Sequence, residues 1–271
     1  MNILNNNNNN NNMAPKLPVS AFKHIPASSL HVSRPTSWLT SRFHFSFAGH
    51  YYREADKNLF GVLRVLNDDI VTPRQGFGLH PHRDMEIVSL PIKGQLTHED
   101  TTGNKEALGR GTVQYMSAGT GIAHSEMNDG RVDTRFLQIW IQPDRSGHAP
   151  NYGSRNFDKD VRFNRLAHVV AGVKGVDDLK DTGEGAIPIH QDANIFISEF
   201  EEATTLSYSL GKDRMAYFVD VEGDVELENA TDGSTQALAM RDATHVYGPM
   251  DLRIHSRSSK SFIAMIEMPK A

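Results

Sequence analysis

Turn-forming residues punctuate this chain at intervals too short for helices. Asn67-Asp68-Asp69, Gly76-Phe77-Gly78, Lys93-Gly94 and Gly109-Arg110-Gly111 bracket short runs of apolar and β-branched residues. Phe43-His44-Phe45-Ser46-Phe47 alternates aromatic and polar side chains, as a half-buried strand does. Glu86 to Ile92, Thr112 to Met116 and Phe136 to Ile141 are further strand candidates, with Pro91 marking an edge or a bulge in the first. After a Gly-, Pro- and Asn-rich stretch from Asp144 to Arg165, the strand pattern resumes at His168 to Gly172, Ile187 to Ile189, Asn194 to Phe200, Ala216 to Val221 and Val225 to Leu227. Strands this closely spaced, with no long amphipathic helix between them, imply an antiparallel sandwich or barrel rather than βαβ units.

Within this pattern, His80-Pro81-His82 and His124-Ser125-Glu126 stand out. Residues two apart on a strand share a face, so each pair can present both its side chains to one point. Among thirteen histidines one His-x-His pair is unremarkable. The second cluster changes the balance, because Gly111 and Gly119-Thr120-Gly121 describe a glycine-rich turn that returns His124 towards the first pair. Three imidazoles and a carboxylate form a mixed N/O site suited to Fe, Mn, Ni, Cu or Zn. The bland alternative makes His124 a satisfied core histidine and pairs Glu126 with Arg135. Glu86, an even number of residues from His82, is expected to orient an imidazole, with Glu126 the better-placed ligand. His98-Glu99-Asp100 is either a base at a pocket mouth or a turn cap. Trp38, Phe43, Phe45 and Phe47 can line an aromatic pocket, though at least two are expected in the core together with Trp140.

A formal net charge of −5 argues against direct nucleic-acid binding through phosphate neutralisation. The sequence has no apolar run long enough to span a membrane. The absence of cysteine excludes disulfides and thiolate ligands. Asn5 to Asn12 is a low-complexity tract, so residues 1–16 are expected to be a disordered tail. Translation from Met13 instead of Met1 is left open. The N-terminus has no signal-peptide pattern, and cytoplasm is the default location with the nucleus as the alternative. Tyr217 to Val225 repeats the pattern of Glu86 to Leu96, an internal duplication. Counting back from Gly223 places Ser209, Gly211 and Met215 where His80, His82 and Glu86 stand, so the second half is expected to hold no metal.

Gly76-Phe77-Gly78-Leu79-His80-Pro81-His82-Arg83-Asp84-Met85-Glu86 and Ser117-Ala118-Gly119-Thr120-Gly121-Ile122-Ala123-His124-Ser125-Glu126 resemble the two metal motifs of the pirin family in the cupin superfamily. Trp38-Leu39, Leu63 to Asp69, Gly103 to Glu106 and Gln138 to Ile141 strengthen the likeness, and the bacterial quercetinase-like branch is the nearer one. It is dense over residues 36–145 and thin beyond, where His190-Gln191-Asp192 is the clearest match. The resemblance implies an all-β bicupin, two facing antiparallel barrels of jelly-roll type. Residues 17–145 would form the metal-binding barrel, 146–165 a connector, and 166–271 a cupin-like barrel without metal. It also implies His80, His82, His124 and Glu126 as ligands of one divalent ion, normally iron as Fe(II). The implied activity is a dioxygenase acting on quercetin-type flavonols or related aromatic diols with O2, with Glu126 as general base. The alternative is an iron-dependent redox-sensing protein that binds a protein partner as a transcription co-regulator. Two departures from the family pattern, Phe43 followed by His44 and Leu79 before the first ligand, are expected to alter the pocket wall.

Overall fold

The computed structural model describes residues 21–47, 57–173 and 185–270. The Asn tract and both candidate start methionines lie outside the described residues. The first half has a seven-stranded sheet in the order β12 (Asn151–Asn156), β9 (Thr112–Ser117), β6 (Glu86–Lys93), β11 (Thr134–Ile141), β4 (Leu63–Val71), β3 (Leu39–Phe45) and β2 (His31–Thr36). Against it lies a four-stranded sheet, β5 (Gln75–His82), β10 (Ile122–Asn128), β7 (Leu96–Asp100) and β8 (Lys105–Leu108).

The second half repeats this plan. Its seven-stranded sheet runs β1 (Phe22–Ile25), β20 (Ala243–Tyr247), β17 (Arg214–Glu222), β22 (Ser261–Pro269), β15 (Asn194–Phe200), β13 (Ala167–Gly172) and β14 (Ile187–Ile189). Its four-stranded sheet runs β16 (Thr205–Leu210), β21 (Met250–Ser256), β18 (Asp224–Asn229) and β19 (Thr235–Ala239). All pairings between these strands are antiparallel except β13 with β14. This is the all-β bicupin that the resemblance implies. The one α-helix among the described residues, α1, covers only Lys159–Arg162. No helix there is long and apolar enough to cross a membrane.

Two segments cross the expected boundaries. Asn151–Asn156, read as connector, pairs with Thr112–Ser117 and extends the first large sheet. Phe22–Ile25, read as part of the first half, pairs with β20 from Val246 back to Ala243 and extends the second. Neither short segment carries a periodicity that reveals its distant partner. Pro91 does not mark an edge, since β6 lies between β9 and β11, but the register with β11 slips beside it, from Lys93 to Pro91. Gly94 and Gly223 close the two corresponding hairpins at φ +73° and +95°, a backbone region that glycine enters at little cost.

The two large sheets pack face to face over a shared core. Leu63, Val88 and Ile139 of the first half meet Val169, Ile195, Tyr217 and Ile266 of the second, all buried. Each such side chain contributes about 1.5–3 kcal/mol on leaving water. An ion pair crosses the same interface: Asp68, which accepts two hydrogen bonds from Arg135 of its own half at 2.8 Å each, takes a third, also at 2.8 Å, from Arg241 of the other.

Candidate metal centre and pocket

The ladder between β5 and β10 sets the site. His80 pairs with His124, and the register then slips so that Glu126 faces Phe77. A bulge of this kind lets Phe77, His80 and His82 face inward together despite the odd spacing of the first two. On β10 the alternation is unbroken, and His124 and Glu126 are both buried. One ring nitrogen from each of His80, His82 and His124 falls within a group no more than 4.8 Å across. Their ring centroids are 4.6–4.8 Å apart.

Hydrogen bonds orient two of these rings. His80 Nδ1–H donates to the Gly78 carbonyl at 2.7 Å, which leaves Nε2 to face the group. His124 Nδ1–H donates to His98 Nδ1 at 3.3 Å, and His124 Nε2 is buried with no hydrogen-bond partner. Burial and the neighbouring imidazoles push His124 down to about 2 and His82 down to about 4, so both rings are neutral lone-pair donors at pH 7. An orphaned buried nitrogen beside two more ring nitrogens is what a cation would satisfy, so the residues present fit a divalent metal.

The Glu126 carboxylate is not part of the 4.8 Å group. Gln138 Nε2 donates to its Oε2 at 2.6 Å, and Ser89 Oγ lies 3.0 Å from its Oε1. Burial raises its pKa to about 7 against these hydrogen bonds. The pairing with Arg135 is ruled out, because that guanidinium is engaged by Asp68. Glu126 and His80 both line a pocket of about 690 Å³. Phe43, Phe47, Phe77 and Trp140 form its aromatic walls, and Asn67, Asp69 and Gln138 supply polar groups. Burial raises the Asp69 carboxyl to about 7 although the Ser41 hydroxyl donates to it.

The sequence profile of the pirin family matches residues 27–141, and that of the quercetinase C-terminal cupin domain matches residues 180–268. A pirin-like protein of Caulobacter vibrioides is 41% identical over 73% of this chain and 83% of its own length. The quercetin 2,3-dioxygenase of Escherichia coli K12 is 34% identical over 86% of this chain and 92% of its own. The chain belongs to the pirin family. A crystal structure of bacterial pirin YhhW from Escherichia coli in complex with nickel(II) superposes with a TM-score of 0.77, at 30% identity, over 92% of this chain and all of that one.

In this pirin-family chain several side chains lie elsewhere than the sequence suggests. Glu86 does not reach the imidazoles. The turn at Asp84, with φ +49°, breaks the strand after His82, so the even count between the two residues no longer fixes a common face. Glu86 Oε1 instead accepts from Ser117 Oγ at 2.9 Å and from His190 Nδ1–H at 3.1 Å, tying the halves together. Leu79 is 70% exposed and does not line the pocket, because the bulge turns it outward. Trp140 lines the pocket and meets the His82 ring edge-on at 4.8 Å, whereas Trp38 and Phe45 pack in the core.

His98 is the positioning residue that the sequence hides. It is fully buried, stacks on Tyr152 at 4.0 Å, and donates from Nε2 to Asp100 at 3.0 Å. That bond leaves its Nδ1 to accept from His124 and from Gln114 Nε2 at 3.2 Å. Asp100 is held well below the usual carboxylate range by hydrogen bonds from Thr102, Asn104 and His98 that outweigh its burial. Asp100 therefore does cap a turn, while His98 serves the site. The spacing of His98 and Asp100 on β7, which pairs with β10, is the one signal the sequence offers.

Proposed function

We propose that this chain is a metal-dependent dioxygenase that uses O2 on quercetin-type flavonols or related aromatic diols. The observation that carries this reading is that the histidine group and the aromatic pocket share a wall, His80, with Glu126 beside it. An aromatic-lined pocket suits a small planar substrate better than it suits the alternative role of redox-sensing partner binding. In this reading His80, His82, His124 and Glu126 hold one divalent ion, with iron as Fe(II) the first choice and Mn, Ni, Cu and Zn accepted by the same donors. The ion would supply Lewis acidity towards a substrate hydroxyl and, as iron, a redox couple for reaction with O2.

The chain's own groups do the rest. Phe43, Phe47, Phe77 and Trp140 flank a planar ring and exclude water. Glu126 accepts the substrate hydroxyl proton on Oε1, the oxygen that Ser89 Oγ approaches at 3.0 Å. Ser89 Oγ, also 2.8 Å from Gln138 Oε1, can then turn its single proton to that amide oxygen. His98 fixes the His124 ring through both steps. The test is oxygen uptake by Fe(II)-reconstituted protein supplied with quercetin. Uptake that depends on quercetin, and that Glu126→Gln suppresses while iron stays bound, supports the reading. Fully iron-loaded protein that consumes no oxygen with quercetin or simpler aromatic diols would overturn it.

A further inference from the structure

The pocket beside the histidine group has a second polar end that the proposed chemistry leaves idle. On β4, Val65, Asn67 and Asp69 all line it, as alternate residues on one face of a strand do. The neighbouring strands set these residues in rows. Val65 lies opposite Trp140, whose ring meets His82, and Asn67 lies opposite Gln138, whose amide donates to Glu126. Asp69 is in the third row, the furthest of the three from His82. It faces Ser41 of β3, which in turn faces Ser33 of β2, and all three line the pocket. The β3–β4 ladder slips only beyond this stretch, at His44, which is buried outside the pocket. Two residues along a strand amount to about 7 Å, and that is the spacing between the Glu126 row and the Asp69 row.

Asp69 is 3% exposed, and its surroundings differ from those of Asp68 beside it. Asp68 points to the other face of β4 and takes three hydrogen bonds from two arginines. The Asp69 side chain takes one, from Ser41 Oγ to its Oδ1. Its Oδ2 makes no hydrogen bond among the described residues, and it is not sealed from solvent as both oxygens of Asp220 are. That oxygen therefore opens on the pocket. Phe136, opposite Asp69 on β11, offers no side-chain donor. A buried carboxyl with half its hydrogen-bonding capacity unmet costs stability unless something supplies the missing partner. Phe43, in the middle row, and Phe77 give the pocket flat apolar walls beside these polar groups.

We propose that Asp69 is the specificity-determining residue of this pocket, its carboxyl hydrogen-bonding a second substrate hydroxyl on a ring remote from the one whose hydroxyl reacts at Glu126. This rests on the dioxygenase reading for the reacting end. It narrows the substrate class from aromatic diols in general to multi-ring molecules of flavonol type that carry hydroxyls at both ends. Adjacent hydroxyls on a single ring are too close together to span rows about 7 Å apart. The carboxyl serves in either protonation state, since the neutral acid donates and the carboxylate accepts. A site built to bond a hydroxyl rejects the analogue that lacks it, because the buried polar group is then left unpaired.

The test compares quercetin with 3-hydroxyflavone, which keeps the reacting hydroxyl and lacks every other, in calorimetric titrations of zinc-loaded protein. Zinc has no redox couple, so binding is read without turnover. Quercetin is expected to bind at least tenfold tighter than 3-hydroxyflavone. Asp69→Val should shrink that ratio at least fivefold. Asp69→Asn, which keeps the shape of the side chain, should shrink it at least twofold and keeps the test valid if Asp69→Val fails to fold. A purely structural role for Asp69 would weaken both flavonols alike and leave the ratio unmoved. Equal affinity for the two flavonols before substitution, or a ratio that the folded variants leave unchanged, would overturn the proposal. Iron-loaded protein that consumes no oxygen with either flavonol, while the ratio in the zinc form depends on Asp69, would instead overturn the dioxygenase reading and support Asp69 as the residue that recognises a hydroxyl.

Discussion

The ladders β5–β10 and β16–β21 occupy the same place in the two halves and hold opposite chemistry. Their closing pairs are His82 with Ile122 and Leu210 with Met250. Read from those pairs, His80, His82, His124 and Glu126 correspond to Tyr208, Leu210, Leu252 and Ile254. In the second half Leu210, Leu252 and Ile254 join one continuous buried cluster with Leu206, Phe218 and Leu227. In the first half the equivalent interior holds two small apolar clusters, around Phe136 and around Met116. Buried Ser89, His98, Gln114, His124, Glu126 and Gln138 complete that interior. One framework is thus filled once for stability and once for chemistry. The polar filling is tolerated because almost every group in it has a partner; Gln114 Oε1 and His124 Nε2 are the exceptions, and the second is the one that a cation answers.

The sharpest way to break the comparison is to remove its polar side. His80→Ala/His82→Ala should lower bound metal from one per chain to trace levels and reduce quercetin-dependent oxygen uptake by on the order of 10³-fold, measured by elemental analysis and an oxygen electrode. Exchanging residues between the ladders comes next. Leu252→His should cost about 2–4 kcal/mol in denaturant unfolding, since it buries an imidazole with no prepared partner. His124→Leu should stabilise the metal-free protein by about 1 kcal/mol while abolishing metal binding. Glu126→Gln should keep the metal within about tenfold of wild-type affinity and lower kcat by about 10²-fold or more. His98→Leu should weaken metal binding by about 10–100-fold, read by competition with a chelator, because His124 loses the partner that fixes its ring.

The smallest effect concerns the second half alone. Asp220 is fully buried, and neither of its carboxylate oxygens has a hydrogen-bond partner. Burial, with Asp224 and Asp242 nearby, raises its pKa to about 8. The unfolded chain releases this proton near pH 4, so between about pH 4 and 8 the folded state holds a proton that the unfolded state lacks, and stability falls as pH rises through that window. Asp220→Asn should flatten this slope. Its gain in thermal unfolding should be larger at pH 8 than at pH 4.5.

The strands, the duplication and the three histidines are legible in the sequence because each rests on local periodicity or on turn residues. Gly94 and Gly223 mark the same hairpin twice, and that repetition survives even where side-chain identity does not. Counting back from Gly223 gives Ser209 and Gly211 instead of Tyr208 and Leu210. The miss is one residue, because β17 has nine residues where β6 has eight. Glu86, Leu79 and His44 escape the sequence for a related reason. Each lies next to a bulge or a tight turn, and one extra residue moves a side chain to the other face. The role of His98 depends on a strand that pairs across the sheet, and the spacing within β7 does not name that partner. Asn151–Asn156 and Phe22–Ile25 are hidden as sheet edges because their partners lie more than thirty and two hundred residues away.

The central claim is that only the first of two equivalent ladders holds a metal. Anomalous diffraction from crystals of the iron-loaded protein tests it most directly. One peak per chain is expected about 2.0–2.2 Å from ring nitrogens of His80, His82 and His124, with a Glu126 oxygen completing the set, and none near Tyr208, Leu210 or Leu252. A peak ligated by other residues, or none at the three histidines in fully loaded crystals, would contradict it.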